Sequence, residues 1–285
     1  MSRPLRRLAV AALACLVAAV PAARSAAAQE ASLPERFRQQ GYLRVGIEAT
    51  YPPMAYKDPA TNERRGVNVD LVTAIGKDLG VEIRWEEMAF AQLIPAITTG
   101  RVDFSGSSMT DLPARRERLS FVDYVSTGAQ IFTTAAQRKG AEKATDFCGR
   151  SVATPRTTNY FPSAQAWSER NCVAAGRPAM QVIGTEGAAA SRTDLQQGRA
   201  EGAILGAEYV VYLRQLNPGA FVEVGEPITR NLSGMAFPKD TTDLRDAVAA
   251  SLQRLVANGT YLEILRKHGL ERQALQRISI DAGEN

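Results

Sequence analysis

Residues Gly100 to Tyr124 read GRVDFSGSSMTDLPARRERLSFVDY. A short apolar run, Val102 to Phe104, gives way to Ser105, Gly106, Ser107, Ser108 and Thr110, and Arg115 follows five residues later. The pattern predicts a buried strand over 102–106 that ends in a hydroxyl-rich loop with free backbone N–H groups. A helix whose first turn carries a guanidinium comes next. Hydroxyls, backbone donors and a guanidinium fork together suit a carboxylate, because charge-assisted bidentate pairing is strong and geometrically selective. A helix N-terminus adds its own preference for anions. The bland alternative is a solvated basic helix, since Arg115, Arg116 and Arg118 crowd together.

Upstream, Leu43, Val45 and Ile47 alternate and predict a strand over 43–47, which leads into a loop fixed by Pro52 and Pro53. Leu71, Val72, Ile75 and Leu79 lie at helical spacing and stop at Gly80. Val81, Ile83 and Trp85 give a second strand, and Leu93, Ile94 and Ile97 a second helix ended by Gly100, with Pro95 tolerable only in its first turn. This βαβαβ order implies a largely parallel sheet covered by helices.

Downstream the same grammar restarts. A strand over 150–154 runs into Thr157, Thr158 and Asn159. A helix through Trp167, a strand over 180–183, a helix over 187–197 ended by Gly198 and a strand over 202–206 follow. Gly198-Arg199-Ala200-Glu201 echoes Gly100-Arg101-Val102-Asp103, so the chain reads as two lobes of one α/β type. The bland alternative is that any α/β chain repeats strand–helix units. Ligands of open α/β sheets sit beyond the carboxyl ends of strands, which makes the loops after 47, 106, 154 and 206 the candidate lining. A helical stripe from Leu244 to Val256 stops at Asn258-Gly259, and a last helix begins at Tyr261 and ends at Gly269. The lobes are expected to join through short strands near Gln130–Thr134 and Leu232–Phe237. That places lobe 1 at 29–131 and 236–285, and lobe 2 at 132–235.

Composition bounds the function. The chain has 285 residues, 34 basic and 30 acidic. Residues 1–28 hold four of the arginines and no acid, so the remainder is neutral. That argues against a nucleic-acid face, which needs concentrated positive charge. Arg3, Arg6 and Arg7, the apolar run from Leu8 to Val20 and Ala26-Ala27-Ala28 read as a secretory signal peptide over 1–28, cleaved before Gln29. Cys15 would leave with it. The remaining pair, Cys148 and Cys172, reads as a disulfide in an exported protein. Two cysteines and the single His268 make a metal site unexpected, and no cofactor is indicated.

Taken together, LRVGIEATYPPM (43–54), GVNVDL (66–71), LIPAITTGRVDFSGSSMT (93–110), Arg115 with Phe121, DFCGRSV (146–152) and NGTYLEIL (258–265) resemble the family-3 extracellular solute-binding proteins of ABC importers, the polar amino-acid-binding type. The resemblance implies a two-lobed periplasmic-binding-protein fold with the ligand in the interlobe cleft, a monomer, and a membrane permease as partner. It also implies roles. Tyr51 and Phe90 correspond to the aromatic residues that sandwich the ligand's side chain. Ser108 and Thr110 correspond to its hydrogen-bonding groups, and Arg115 to the α-carboxylate anchor. Thr157, Thr158 and Asn159 correspond to the closing loop of the second lobe, and Glu48 to an acid that in some members meets a basic ligand side chain. The family's usual Asp at the end of strand 203–206, which binds the α-ammonium, is here Gly206, with Glu208 two residues on. The ligand is therefore an amino acid held by Glu48 or Glu208, or a carboxylate without an amine. An exported cyclohexadienyl-type dehydratase on the same fold is the enzymatic alternative, with Glu48 or Glu208 as general acid. The sensor domain of a receptor kinase is disfavoured because the chain reaches Asn285 without a transmembrane segment.

Overall fold

The computed structural model describes residues 32–283, so the expected signal peptide lies outside the described residues. Two main sheets organise the chain. In hydrogen-bonded order the larger runs Ala274–Ile280, Leu119–Thr127, Asn231–Pro238, Phe104–Thr110, Tyr42–Ile47 and Glu82–Glu87. The smaller runs Gln181–Thr185, Ser151–Pro155, Gly202–Gly206, Ala129–Thr134 and Phe221–Glu223. The βαβ strands pair in parallel, as Tyr42–Ile47 does with Glu82–Glu87, while the strands next to the crossovers pair antiparallel.

The two halves repeat down to single hydrogen bonds. The N–H of Asp103 donates to the Arg44 carbonyl at 2.8 Å and its carboxylate accepts from the Arg44 N–H at 2.7 Å. In the other half, the N–H of Glu201 donates to the Ser151 carbonyl at 3.1 Å and its carboxylate accepts from the Ser151 N–H at 3.4 Å. The acid of each Gly-Arg-x-acid motif thus ties one strand to the start of its parallel neighbour. Gly100 and Gly198 both adopt positive φ, as the helix-stop reading requires.

Helices Val67–Leu79 and Thr242–Ala257 pack the larger sheet around Leu71, Val72, Ile75, Leu244, Val248 and Leu252, all fully buried. The smaller sheet closes over Ile131, Phe147, Val152 and Ile204 on one side and Phe132, Leu205, Leu213 and Phe221 on the other. Cys148 and Cys172 form a disulfide with Cα atoms 5.5 Å apart, which pins helix Tyr160–Asn171 to the loop before its sheet.

Three expectations need correction. The hydroxyl-rich segment is not a loop: Ser105 to Thr110 belong to strand Phe104–Thr110, paired with Tyr42–Ile47 on one side and Asn231–Pro238 on the other. Alternation fails there because Ser107, Ser108 and Thr110 line a cavity rather than a core, while Ser105 is a buried polar residue. Pro95 lies in the second turn of helix Phe90–Thr98, since the helix begins at Phe90, three residues before Leu93. The helix bearing Arg115 is a single turn, Pro113–Arg116, too short to present a macrodipole. The edge strand Ala274–Ile280, half-exposed and of mixed polarity, was not anticipated at all.

The chain passes from the larger sheet to the smaller at Gly128 and returns between Glu223 and Asn231. The two passages touch. A Cβ on Gly128 would stand 2.0 Å from the Thr229 carbonyl oxygen, so no side chain fits there. The Thr229 hydroxyl accepts from the Ala129 N–H at 2.9 Å, and the Ile228 N–H donates to the Ala129 carbonyl at 2.8 Å.

Two expected outcomes follow from this packing. Closing a 24-residue separation, the disulfide contributes about 3 kcal/mol by loop entropy; the Cys148→Ser/Cys172→Ser variant should unfold about 5–10 °C lower by calorimetry. Asp123 is fully buried, and desolvation together with the Asp111 charge pushes its carboxyl up to about 7. The unfolded chain releases that proton near pH 4, so the folded state binds more protons between about pH 4 and 7. Stability from this group therefore falls as pH rises across that window and stays low above it. Asp123→Asn should raise the thermal midpoint by several degrees at pH 8 and lose that advantage toward pH 4.

Candidate functional site

The carboxyl ends of both sheets face one partly open cavity of about 210 Å³. Of the residues expected in the site, Glu48, Tyr51, Phe90, Ser108, Thr110, Thr157, Thr158, Asn159 and Glu208 all stand on its wall. Arg115 does not. Its guanidinium lies just behind the wall, donating through Nη1 to the Thr110 carbonyl at 2.8 Å and lying 5.9 Å from the centroid of the Phe90 ring. Burial pulls its pKa down, against the opposing pull of Tyr160 and Asp111.

The centre of the site is Glu208, in the first turn of helix Ala207–Leu216 and only 4% exposed. Tyr51 Oη donates to its Oε1 at 3.1 Å, and the Thr127 hydroxyl donates to its Oε2 in a short contact. The Gly206 N–H in turn donates to Tyr51 Oη at 3.0 Å. Desolvation raises the Glu208 pKa and the two hydroxyl donors oppose it. Among the described residues it forms no ion pair. A buried carboxylate without a cation is costly, and this one faces a cavity.

The geometry also explains the glycine at 206. A Cβ placed there would lie 1.9 Å from Glu208 Oε1 and 2.4 Å from its Cδ. The Glu208 side chain therefore folds back into the volume that a residue-206 side chain would fill. The acid reaches the strand's end from the helix after it.

Glu48 follows the first strand and supplies a second carboxylate. Its Oε1 accepts from the Thr50 hydroxyl at 3.1 Å, and its N–H donates to Ser107 Oγ at 2.9 Å. Desolvation raises its pKa, opposed by hydrogen bonds from the Thr50 hydroxyl and the Phe90 backbone N–H. Like Glu208, it has no ion pair among the described residues. The third acid on the wall, Glu186, is 80% exposed and meets Arg156 at 2.7 Å. Arg156 also donates to the Gly184 carbonyl at 2.7 Å and is not itself on the wall. No Lys, Arg or His lies among the described wall residues.

Contacts across the cleft join the two halves. Thr110 Oγ1 donates to Asn159 Oδ1 at 3.2 Å, and the Tyr51 ring leans on Tyr209 at 5.1 Å between centroids. Tyr51 is thus a bridging residue as well as a wall residue. Sequence reading missed Tyr160, Thr127 and Asn68 on the wall. Tyr160 is hydrogen-bonded to Tyr51, and burial pushes both phenols up, so they remain proton donors. Asn68 accepts from the Tyr124 phenol in a short contact. The only available signal was adjacency: Tyr160 follows the Thr-Thr-Asn loop, and Thr127 precedes the crossover glycine.

Two carboxylates and aromatic side chains on the wall, with a guanidinium just behind it, can take a zwitterion that carries additional positive charge. The family model for bacterial extracellular solute-binding proteins, family 3, matches residues 43–271. The arginine-binding protein ArgT of Corynebacterium glutamicum is 29% identical over 252 residues, spanning 88% of this chain and 82% of that protein. A solved ancestral arginine-binding protein bound to arginine is 26% identical with a TM-score of 0.70, covering 80% of this chain and 98% of the other. The ancestral amino acid-binding protein AncCDT-1, a precursor of cyclohexadienyl dehydratase, is also 26% identical, with a TM-score of 0.69 over 81% and 97%. The family match encloses every residue of the cavity wall, and the chain belongs to the bacterial extracellular solute-binding proteins of family 3.

Proposed function

We propose that this protein captures a basic L-amino acid of the arginine type and delivers it to a membrane ABC permease from outside the inner membrane. The observation that carries the reading is Glu208, a buried carboxylate facing the cavity with hydroxyl donors and no cation. It takes the ligand's α-ammonium in place of an acid at position 206. Glu48 takes the cationic end of the side chain, and Arg115 takes the α-carboxylate with Ser108 and Thr110. Tyr51, Phe90 and the Thr157–Asn159 loop enclose the rest. Names among the relatives support the choice of ligand, including ArgT and the ancestral protein bound to arginine. Among the described residues no helix is long and apolar enough to cross a membrane.

Binding without turnover is part of the proposal. AncCDT-1 gives the dehydratase reading its footing, but in this cavity Glu208 serves as acceptor to two hydroxyls. Incubation with a cyclohexadienyl acid should give no aromatic product by absorbance; turnover would replace the binding reading with the enzymatic one.

Each anchor has an analogue that reports on it. After unfolding and refolding to strip carried-over ligand, calorimetry should rank arginine above agmatine (no carboxylate), 5-guanidinopentanoate (no ammonium) and citrulline (neutral side chain). Charged hydrogen bonds of about 1.5–3 kcal/mol correspond to losses of about 10- to 100-fold. Glu208→Gln should weaken arginine by that factor and leave 5-guanidinopentanoate within about threefold. Equal losses for both would remove Glu208 from the ammonium site.

The exchange of anchors is separately testable. Gly206→Asp alone should abolish binding, because its side chain meets the Glu208 carboxylate. Gly206→Asp combined with Glu208→Ala vacates that space and returns an acid to the strand end, and should regain at least tenfold in arginine affinity over Glu208→Ala alone.

A further inference from the structure

Arg115 sits on a turn with little reason to hold its shape. Pro113–Arg116 is one helical turn with no buried residue, and a single turn has no stability of its own. Anchors must be held to within about half an ångström to act on a ligand, so the rigidity comes from elsewhere. Arg115 itself contributes its bond to the Thr110 carbonyl, and Lys239 Nζ donates to the Arg116 carbonyl at 2.9 Å.

The larger set of ties runs to the last described residues of the chain. Asp111, next to the wall residue Thr110, is fully buried. Its Oδ2 accepts from the Gly283 N–H at 2.7 Å, and its Oδ1 pairs with Arg116 Nε at 2.9 Å. Arg116 then donates through Nη1 and Nη2 to the carbonyls of Asp281 and Gly283. The tail is fixed in its turn: the Asp281 carboxylate accepts from the Ser120 hydroxyl and the Phe121 N–H, both at 2.7 Å, and the Ala282 N–H donates to Asp123 at 3.1 Å. The fit is close enough to exclude any side chain at 283, where a Cβ would lie 2.2 Å from the Asp111 carbonyl oxygen.

We propose that the C-terminal tail, Asp281–Gly283, is a positioning element of the binding site: through Asp111 and Arg116 it clamps the turn that aims Arg115 at the ligand's carboxylate. The inference rests on Arg115 being that anchor. It assigns a role to three residues far from the cavity in sequence, with Gly283, Asp111 and Arg116 as positioning residues.

Arginine and agmatine together separate this role from a general structural one, because agmatine lacks the group that Arg115 would hold and its binding shows that the protein is folded. The test uses the refolded mature protein, with Arg115→Ala, Gly283→Ala, Gly283→Val and a chain ending at Ile280. Arg115→Ala should lower the arginine-to-agmatine affinity ratio by about tenfold or more. Gly283→Val and the shortened chain should lower it by about three- to tenfold with agmatine unchanged within about twofold, and Gly283→Ala should fall between them and the parent. In the Arg115→Ala background the tail changes should have no further effect on the ratio, as expected for residues acting through one group. Tail variants that weaken both ligands equally, or neither, overturn the proposal while leaving the anchor intact. An unchanged ratio in Arg115→Ala overturns the anchor and the clamp together.

Discussion

The Glu208 carboxylate, reaching from the smaller sheet's side and held by two hydroxyls of the larger sheet's side, is the interaction on which the site depends. Tyr51 reaches it from the loop after the first strand, Thr127 from the end of the strand that enters the crossover, and Gly206 supports Tyr51 from beneath. One buried charge therefore links the larger sheet, the smaller sheet and the passage between them. Such a group is unstable in isolation. Under the proposed binding mode, the ligand's ammonium offsets that cost.

The scaffold around it serves position more than chemistry. Two sheets built on the same βαβ plan set their carboxyl ends face to face, and the repeat extends to the acids that tie neighbouring strands. The crossover is pinned where Gly128 meets Thr229, leaving space for backbone alone. Binding groups are then added from strand ends, loops and helix starts, where the backbone has already been aimed by the sheet. Arg115 is the exception, carried on an isolated turn with its rigidity borrowed from distant residues.

Much of this was legible in the sequence, and most of the illegible parts depend on where side chains point once the chain is folded. Alternation and helical spacing marked most strands and helices because their faces are buried. They failed at Ser105–Thr110, where a strand turns hydroxyls into a cavity, and at Ala274–Ile280, an edge strand exposed along much of its length, and they did not mark the buried strand Leu119–Thr127. The candidate residues on the wall could be named from the loops after strand ends. The relation of Gly206 to Glu208 could be posed but not resolved, since whether a side chain folds back two residues depends on χ angles and free volume. Tyr160, Thr127 and Asn68 are chemically ordinary residues that acquire a role only from where the helix and strand ends bring them.

Tyr51 makes its bonds to Glu208 and Gly206 with the protein's own atoms, and this has a consequence for how the protein is sensed. A cleft that can bridge itself needs less of a ligand's binding energy to shut, so capture is less heavily taxed by closure. The same bridging lets the empty protein sample the outline of the loaded one. A permease that recognised only the approach of the two lobes would then be engaged by empty carriers as well, and would turn over more slowly in their excess. Fidelity in such a pair falls to what happens after docking, when a loaded cleft has cargo to release and an empty one has none.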